Sequence, residues 1–211
     1  ALTLAGLGEA IMSRGLSLDE PAGVDLATHI FALFEAAAVH ASASLAAHLA
    51  PYDNFAVDKA EQTDRLSQRL YRITALKGQA EMKSAALDLT QTALKLTKKT
   101  GLRNAQVTAL FDDAELALRL GAGLGDKGVS ALLTVMETED GVFVPTIKPC
   151  VIMGLSTISH SWGDVRQILL GNRSLIDAPH INVASLKSKG LSEFEITRLE
   201  TALLTATSLA E

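Results

Sequence analysis

Few side chains in this sequence have the spacing that a chemical reaction requires. The segment 123–128, Gly-Leu-Gly-Asp-Lys-Gly, matches the G-x-G-x-x-G pattern of dinucleotide-binding loops. A loop of that kind must follow a strand and open a helix. This segment follows a predicted helix, so we interpret it as an ordinary flexible loop.

Thiol and imidazole side chains show no catalytic or metal-binding pattern either. Cys150 is the only cysteine, and no histidine is close to it in sequence. The five histidines show neither His-x-x-x-His nor Glu-x-x-His spacing, which zinc and di-iron sites use. No Gly-x-Ser-x-Gly elbow is present. We therefore predict no catalytic residue, no cofactor-binding residue, no cofactor and no metal ligand.

Composition limits the class of protein and its partners. The chain has 211 residues, of which 48% are hydrophobic and only 4% aromatic, so the core should be aliphatic. A net charge of −5 argues against a nucleic-acid surface. A single cysteine indicates a reducing compartment, and no apolar run reaches the roughly 18 residues that span a bilayer. We expect a cytoplasmic protein with neither nucleic acid nor membrane as a partner.

The pattern of apolar residues predicts a mainly α fold: one compact multi-helix domain over residues 1–211 with one or two short β-strands. A subdivision into a long-helix part, 1–100, and a strand-plus-short-helix part, 101–211, is an alternative. Ser17 to Glu20 has the form of a capping box, and Pro21 suits the first turn of a helix that runs to about Leu49. A second helical region covers 57–100 and breaks near Gly78.

The segment 98–111 is the point around which the chain is organised. Two lysines favour a helix C-terminus, and Gly101 can adopt the positive φ that closes a helix. We predict a strand at 106–111, followed by the acidic start of a helix, Asp112-Asp113-Ala114-Glu115. Further on we predict a short edge strand at 141–145, a helix or turn at 149–154, a helix at 161–170, and a terminal helix that begins with a capping box at Ser192.

Several stretches, taken together, resemble adenosylcobalamin-dependent (class II) ribonucleotide reductases. The stretch 101–108 (GLRNAQVT) resembles the segment that leads into the phosphate loop of these enzymes. Two later stretches resemble a helical segment that follows it: 177–182 (DAPHIN) and 185–190 (SLKSKG). Two earlier stretches resemble the helical part that precedes it: 12–19 (MSRGLSLD) and 41–46 (ASASLA). They occur in the same order as in the family. The resemblance implies adenosylcobalamin as the cofactor of the related enzymes.

Departures from that family are equally informative. The resemblance implies a Pro-Thr-Gly-Thr-Ile loop that holds the substrate phosphate, whereas this chain has Phe111 to Glu115, whose carboxylates would repel a phosphate. It also implies a radical cysteine and a redox pair, which one cysteine cannot supply. The sequence therefore resembles the helical part of a reductase without its catalytic barrel.

Three hypotheses follow. We favour a degenerate, non-catalytic homologue that acts through binding or oligomerisation, as a homo-oligomer or beside a reductase-related protein partner. The second is a fragment or subunit of a split reductase whose cysteines lie on another chain. The third is a helical binder of a small ligand, with a cavity between the alanine-rich helix and the Arg103-Asn104 turn. Vestiges of a ligand site are predicted at Arg103, Asn104, Thr108, His180 and Asn182.

Overall fold

Helices dominate the computed structural model, which describes residues 1–158, 162–176 and 178–206. This confirms the predicted mainly α class with short strands. In chain order the elements are α1 (Leu7–Met12), α2 (Pro21–Leu49), α3 (Phe55–Ala75), α4 (Ala80–Thr100), α5 (Ala114–Leu120), β1 (Leu133–Glu137), β2 (Phe143–Ile147), α6 (Pro149–Ile158), α7 (Trp162–Leu170), α8 (Val183–Ser188) and α9 (Glu193–Thr205).

The chain packs into two compact units. The first unit comprises Ala1–Ile11 and Leu16–Val129, and the second comprises Met12–Gly15 and Ser130–Glu211. Whether 1–211 is one domain stays a prediction. Ser161, from a predicted helix, Asp177, from a resemblance motif, and the predicted end of the terminal helix beyond Ala206 lie outside the described residues.

The core of the first unit is the contact between α2 and α4, which depends on small side chains. Ala36 on α2 and Ala86 on α4 share one buried cluster, and Ala43 and Ala93, each seven residues further along, share the next. All four are at most 1% exposed. Side chains that end at Cβ let two helix backbones approach closely, so these alanines fix the position of α4 on α2.

Gly101 closes α4 as the sequence predicted. Its φ is +93°, and its N–H donates to the carbonyl oxygen of Thr97. A Cβ at this position would lie 2.7 Å from Pro51 Cβ and 2.9 Å from Phe55 Cδ1. Both the positive φ and the close approach therefore require glycine here.

Two local predictions in the first unit are wrong. The strand predicted at 106–111 is extended backbone with a single parallel bridge, between Leu2 and Thr108, because only one residue of a neighbouring segment pairs with it. The capping box predicted at Ser17 does not form: Glu20 is the N-cap of α2 and makes no side-chain cap bond. Ser17 lies three residues too early, and its Oγ accepts from the Asp19 N–H instead, at 3.1 Å.

The second unit contains the sheet and the C-terminal helices. β1 and β2 pair in antiparallel register from Leu133 opposite Ile147 to Glu137 opposite Phe143. The apolar segment 129–136, whose pattern fits either a helix or a strand, thus provides four of the five residues of β1. The capping box at Ser192 is confirmed: its Oγ accepts from the Glu195 N–H, and the Glu195 carboxylate accepts from the Ser192 N–H.

By length and composition alone, α2 could cross a membrane. This finding corrects the expectation from the sequence that no segment is long and apolar enough to span a bilayer. Of the most apolar 18-residue window, 33% is buried within the protein, including the alanines that contact α4. The central helix of a packed core passes the same test, so this property does not assign the chain to a membrane.

The small-residue contact predicts a sharp difference between two alanines of α2. Ala43→Leu should destabilise the first unit by about 1–3 kcal/mol, because the added carbons overpack a site with no free volume. Ala37→Leu, on the exposed side of the same helix, should change the free energy of unfolding by less than about 0.5 kcal/mol. Urea denaturation measures both; equal effects would contradict the packing described here.

Candidate functional site

Ser42 on α2 holds the segment that carries the predicted ligand residues. It is 2% exposed. Its carbonyl oxygen accepts from the Arg103 N–H at 3.1 Å. Its Oγ accepts from the Asn104 N–H at 3.0 Å and donates to Asn104 Oδ1 at 3.2 Å. Three hydrogen bonds from one serine thus fix the turn that follows α4.

A cavity of about 560 Å³ opens where α2, α3 and the segment after Gly101 meet. Its volume falls in the range of small-molecule sites. We call it the Asn104 cavity. Its lining comes from all three segments and mixes polar, charged and apolar side chains: Val39, Ser42, Asp58, Glu61, Gln62, Arg65, Leu66, Arg69, Leu102, Asn104, Ala105, Gln106, Val107 and Thr108.

A short hydrogen-bond network crosses one wall of the Asn104 cavity. The Tyr52 hydroxyl donates to Asp58 Oδ2 at 2.9 Å, and Gln62 Nε2 donates to the Tyr52 hydroxyl and to the Ala105 carbonyl oxygen, each at 3.4 Å. Burial, together with the hydrogen bond to Asp58, raises the pKa of Tyr52 above its ordinary value. The phenol therefore stays protonated at neutral pH and keeps donating to the carboxylate.

The predicted ligand residues lie in different places. Asn104 and Thr108 line the cavity. Arg103 is exposed and is not among the lining residues, although its backbone is bound to Ser42. In the second unit, His180 is exposed, and Asn182 caps α8 by accepting from the Ser185 N–H at 2.9 Å. Their role as a ligand site stays a prediction.

Sequence reasoning missed Ser42 as the residue that positions the turn. The sequence did carry a signal, since the small residues 41–44 interrupt the larger apolar side chains of α2. Such a stretch predicts a close neighbour, but it does not identify the neighbour. The partner is 62 residues away in sequence, so only the folded chain pairs them.

The single thiol lies apart from the cavities described here. No group of three or more His, Cys, Asp or Glu residues suited to a metal occurs in the described part of the chain. Cys150 lines none of the three cavities of about 560, 480 and 470 Å³. Cys150 is instead a half-buried free thiol at the start of α6.

The acidic segment at 112–115 occupies the N-terminus of α5. Asp113 is the N-cap, and its Oδ1 accepts from the Leu116 N–H at 2.9 Å. Free N–H groups at a helix N-terminus are the groups that bind phosphate. Here a carboxylate of the chain itself takes up one of them, and Glu115 adds a second negative charge in the same turn.

Comparison with known proteins assigns the family. The family model described as "Ribonucleotide reductase, barrel domain" matches residues 1–187. The chain therefore belongs to this ribonucleotide reductase family. Where described, the chain forms a two-stranded sheet and nine helices rather than a barrel.

Individual relatives point to the same class. The chain is 26% identical to a vitamin B12-dependent ribonucleotide reductase of Bradyrhizobium diazoefficiens and 25% identical to one of Agrobacterium fabrum, each over 97% of this chain and 18% of the relative. It is 26% identical to one of Rhodopirellula baltica over 80% of this chain and 16% of the relative. These matches confirm the resemblance to the cobalamin-dependent class. The chain spans less than a fifth of the length of these relatives.

The Ser42 bonds predict a specific loss on removing one hydroxyl. Ser42→Ala should lower the free energy of unfolding by about 1–3 kcal/mol, because the Asn104 N–H loses its buried acceptor. Ser67→Ala is the matched control, since the Ser67 hydroxyl is exposed and bonds only the Thr63 carbonyl oxygen one turn earlier. Denaturant titration should give a control effect below about 0.5 kcal/mol. A cost for Ser42→Ala no larger than the control would contradict the anchoring role.

Proposed function

We propose that this chain is a non-catalytic, ribonucleotide-reductase-related module that acts by binding, without adenosylcobalamin and in the cytoplasm. Membership of the family supports the reductase-related part of this proposal. The observation that carries the non-catalytic part is the N-terminus of α5. Where the resembling enzymes have a phosphate loop, the Asp113 carboxylate accepts from the Leu116 N–H, and Glu115 adds a second negative charge that would repel a phosphate.

The thiol inventory supports the same proposal. Reduction of a ribonucleotide by thiyl-radical chemistry needs one radical cysteine and two reducing thiols, and this chain has Cys150 alone. The chain provides a folded helical unit with the Asn104 cavity, whose lining mixes polar, charged and apolar side chains. A binding role uses such a cavity and requires no thiol.

A second candidate, the subunit of a split reductase, has its own supporting observation. The matching family model describes a barrel domain, yet β1 and β2 form a hairpin on which Val135, Met136 and Phe143 are 54–59% exposed. A two-stranded sheet is marginal by itself, so strands from another polypeptide could extend it. Co-purification with a large cysteine-rich polypeptide would favour this candidate over the first.

Catalysis by the isolated chain is predicted to be absent. The purified protein, given a ribonucleotide, adenosylcobalamin and dithiothreitol, should show no deoxyribonucleotide product, because one thiol cannot both form the radical and reduce the substrate. Cys150→Ser is the control variant and should behave identically. Turnover that Cys150→Ser abolishes would sink the non-catalytic proposal.

Self-association is the second expected property. Large apolar side chains are exposed near both ends of α2, including Val24, Leu45 and Leu49 at 46–59%, and a symmetric dimer is a common way to cover such surfaces. Sedimentation equilibrium at low micromolar concentration should give at least twice the monomer mass of 22.3 kDa.

A pair of variants tests which surface is responsible for association. Leu45→Lys with Leu49→Lys should weaken association, whereas Val57→Lys, an equally apolar but isolated residue that is 85% exposed on α3, should leave it unchanged. A monomer mass for the unaltered protein would contradict the prediction outright.

A further inference from the structure

A second cavity lies between α2 and α3 and carries an excess of positive charge. Its volume is about 480 Å³. Arg65, Arg69 and Arg72 line it from α3 at positions i, i+4 and i+7, which share one helix face. Glu35 on α2 is the only carboxylate among the lining residues. We call this second cavity the arginine cavity.

The three guanidinium groups are engaged to different degrees. Arg69 Nε lies 3.2 Å from Glu35 Oε2, and its side chain is only 28% exposed. Arg65 pairs with Glu61, but both side chains are more than 60% exposed, and such surface pairs contribute at most about 1 kcal/mol. Within the described residues, no hydrogen bond or ion pair involves the Arg72 side chain. Arg69 is thus held by Glu35, Arg65 has a weak surface partner, and the Arg72 guanidinium has no partner among the described residues.

Arg72 is exposed, and the acids that precede it on α3 lie two helical turns or more before it in sequence. The Asp64 carboxylate accepts a hydrogen bond from Gln68 Nε2 at 2.7 Å. Asp58 accepts from Tyr52, and Glu61 pairs with Arg65. None of these three carboxylates lines the arginine cavity, where three arginines face one glutamate.

The same cavity has an apolar floor. Phe31 from α2 and Ile73 and Leu76 from α3 line it. Ile73 is 3% exposed and belongs to the buried cluster with Ala36 and Ala86, against which Leu76 also packs. Ile73 therefore anchors the floor to the core, and the half-buried side chains of Phe31 and Leu76 provide its accessible apolar surface.

We propose that the arginine cavity binds a small amphipathic monocarboxylate, with the carboxylate on Arg72 and the apolar body on the floor. A guanidinium binds a carboxylate through two parallel hydrogen bonds, and burial of apolar surface contributes the remaining affinity. A compact polyphosphate is the poorer fit because it has no apolar body to cover Phe31 and Leu76. This inference rests on the proposed binding function and specifies one ligand class for it.

Decanoate, a monocarboxylate with a flexible apolar body, tests the proposal by isothermal titration with the full chain. We expect saturable binding, and at least tenfold weaker binding of decanol, which has the same body without the charge. Inorganic phosphate, which has charge without an apolar body, should also bind at least tenfold more weakly. Arg72→Gln should weaken decanoate binding at least tenfold, and Arg72→Lys should lose less because it keeps the charge.

Arg119→Gln is the matched control, since Arg119 is an exposed arginine paired with a glutamate one turn earlier, on α5. It should leave decanoate affinity within twofold, and thermal unfolding of each variant verifies that the fold is intact. Absence of saturable decanoate binding, unchanged binding by Arg72→Gln, or equal binding of decanol would overturn the inference. Any of these results, without ribonucleotide turnover, would leave the proposed function standing. Ribonucleotide turnover that Cys150→Ser abolishes would contradict the proposed function whether or not decanoate binds.

Discussion

Close packing of α2 on α4 is the constraint on which the first unit depends. The contact is made by residues no larger than alanine at Ala36, Ala43, Ala86 and Ala93, all buried. Because the two backbones lie close together, the chain leaving α4 at Gly101 passes directly over α2 and comes within hydrogen-bond reach of Ser42. The position of the Asn104 cavity is therefore a consequence of this alanine packing, which includes Ala43, the residue next to Ser42.

Helix α3 determines the chemistry of both cavities on that side of the unit. It carries carboxylates toward its N-terminus and guanidinium groups toward its C-terminus, so the Asn104 cavity is of mixed charge and the arginine cavity is positive. Each end complements the helix dipole, which favours anions at the N-terminus and cations at the C-terminus. A charge order that stabilises the helix thus also creates two different binding environments.

Kinship with a reductase barrel domain and the absence of a described barrel are consistent with one physical picture. The helical first unit has its own buried clusters and does not need strands to cover them. The hairpin of the second unit, by contrast, exposes apolar side chains on both strands. A module can keep the helical core of its family while its surface chemistry changes, because packing and surface charge are largely independent constraints.

The sequence by itself determined the helical class, the family, the break near Gly78, the glycine stop at Gly101 and the cap at Ser192. Each depends on periodicity or on residues within one turn of each other, or, for the family, on motif order. Tertiary structure decided the rest. Segment 106–111 has strand-forming residues but pairs only with Leu2, since a strand requires a neighbour that local sequence does not specify. Ser42 gained its role in the same way, because its partner Asn104 is 62 residues away and meets it only in the folded chain.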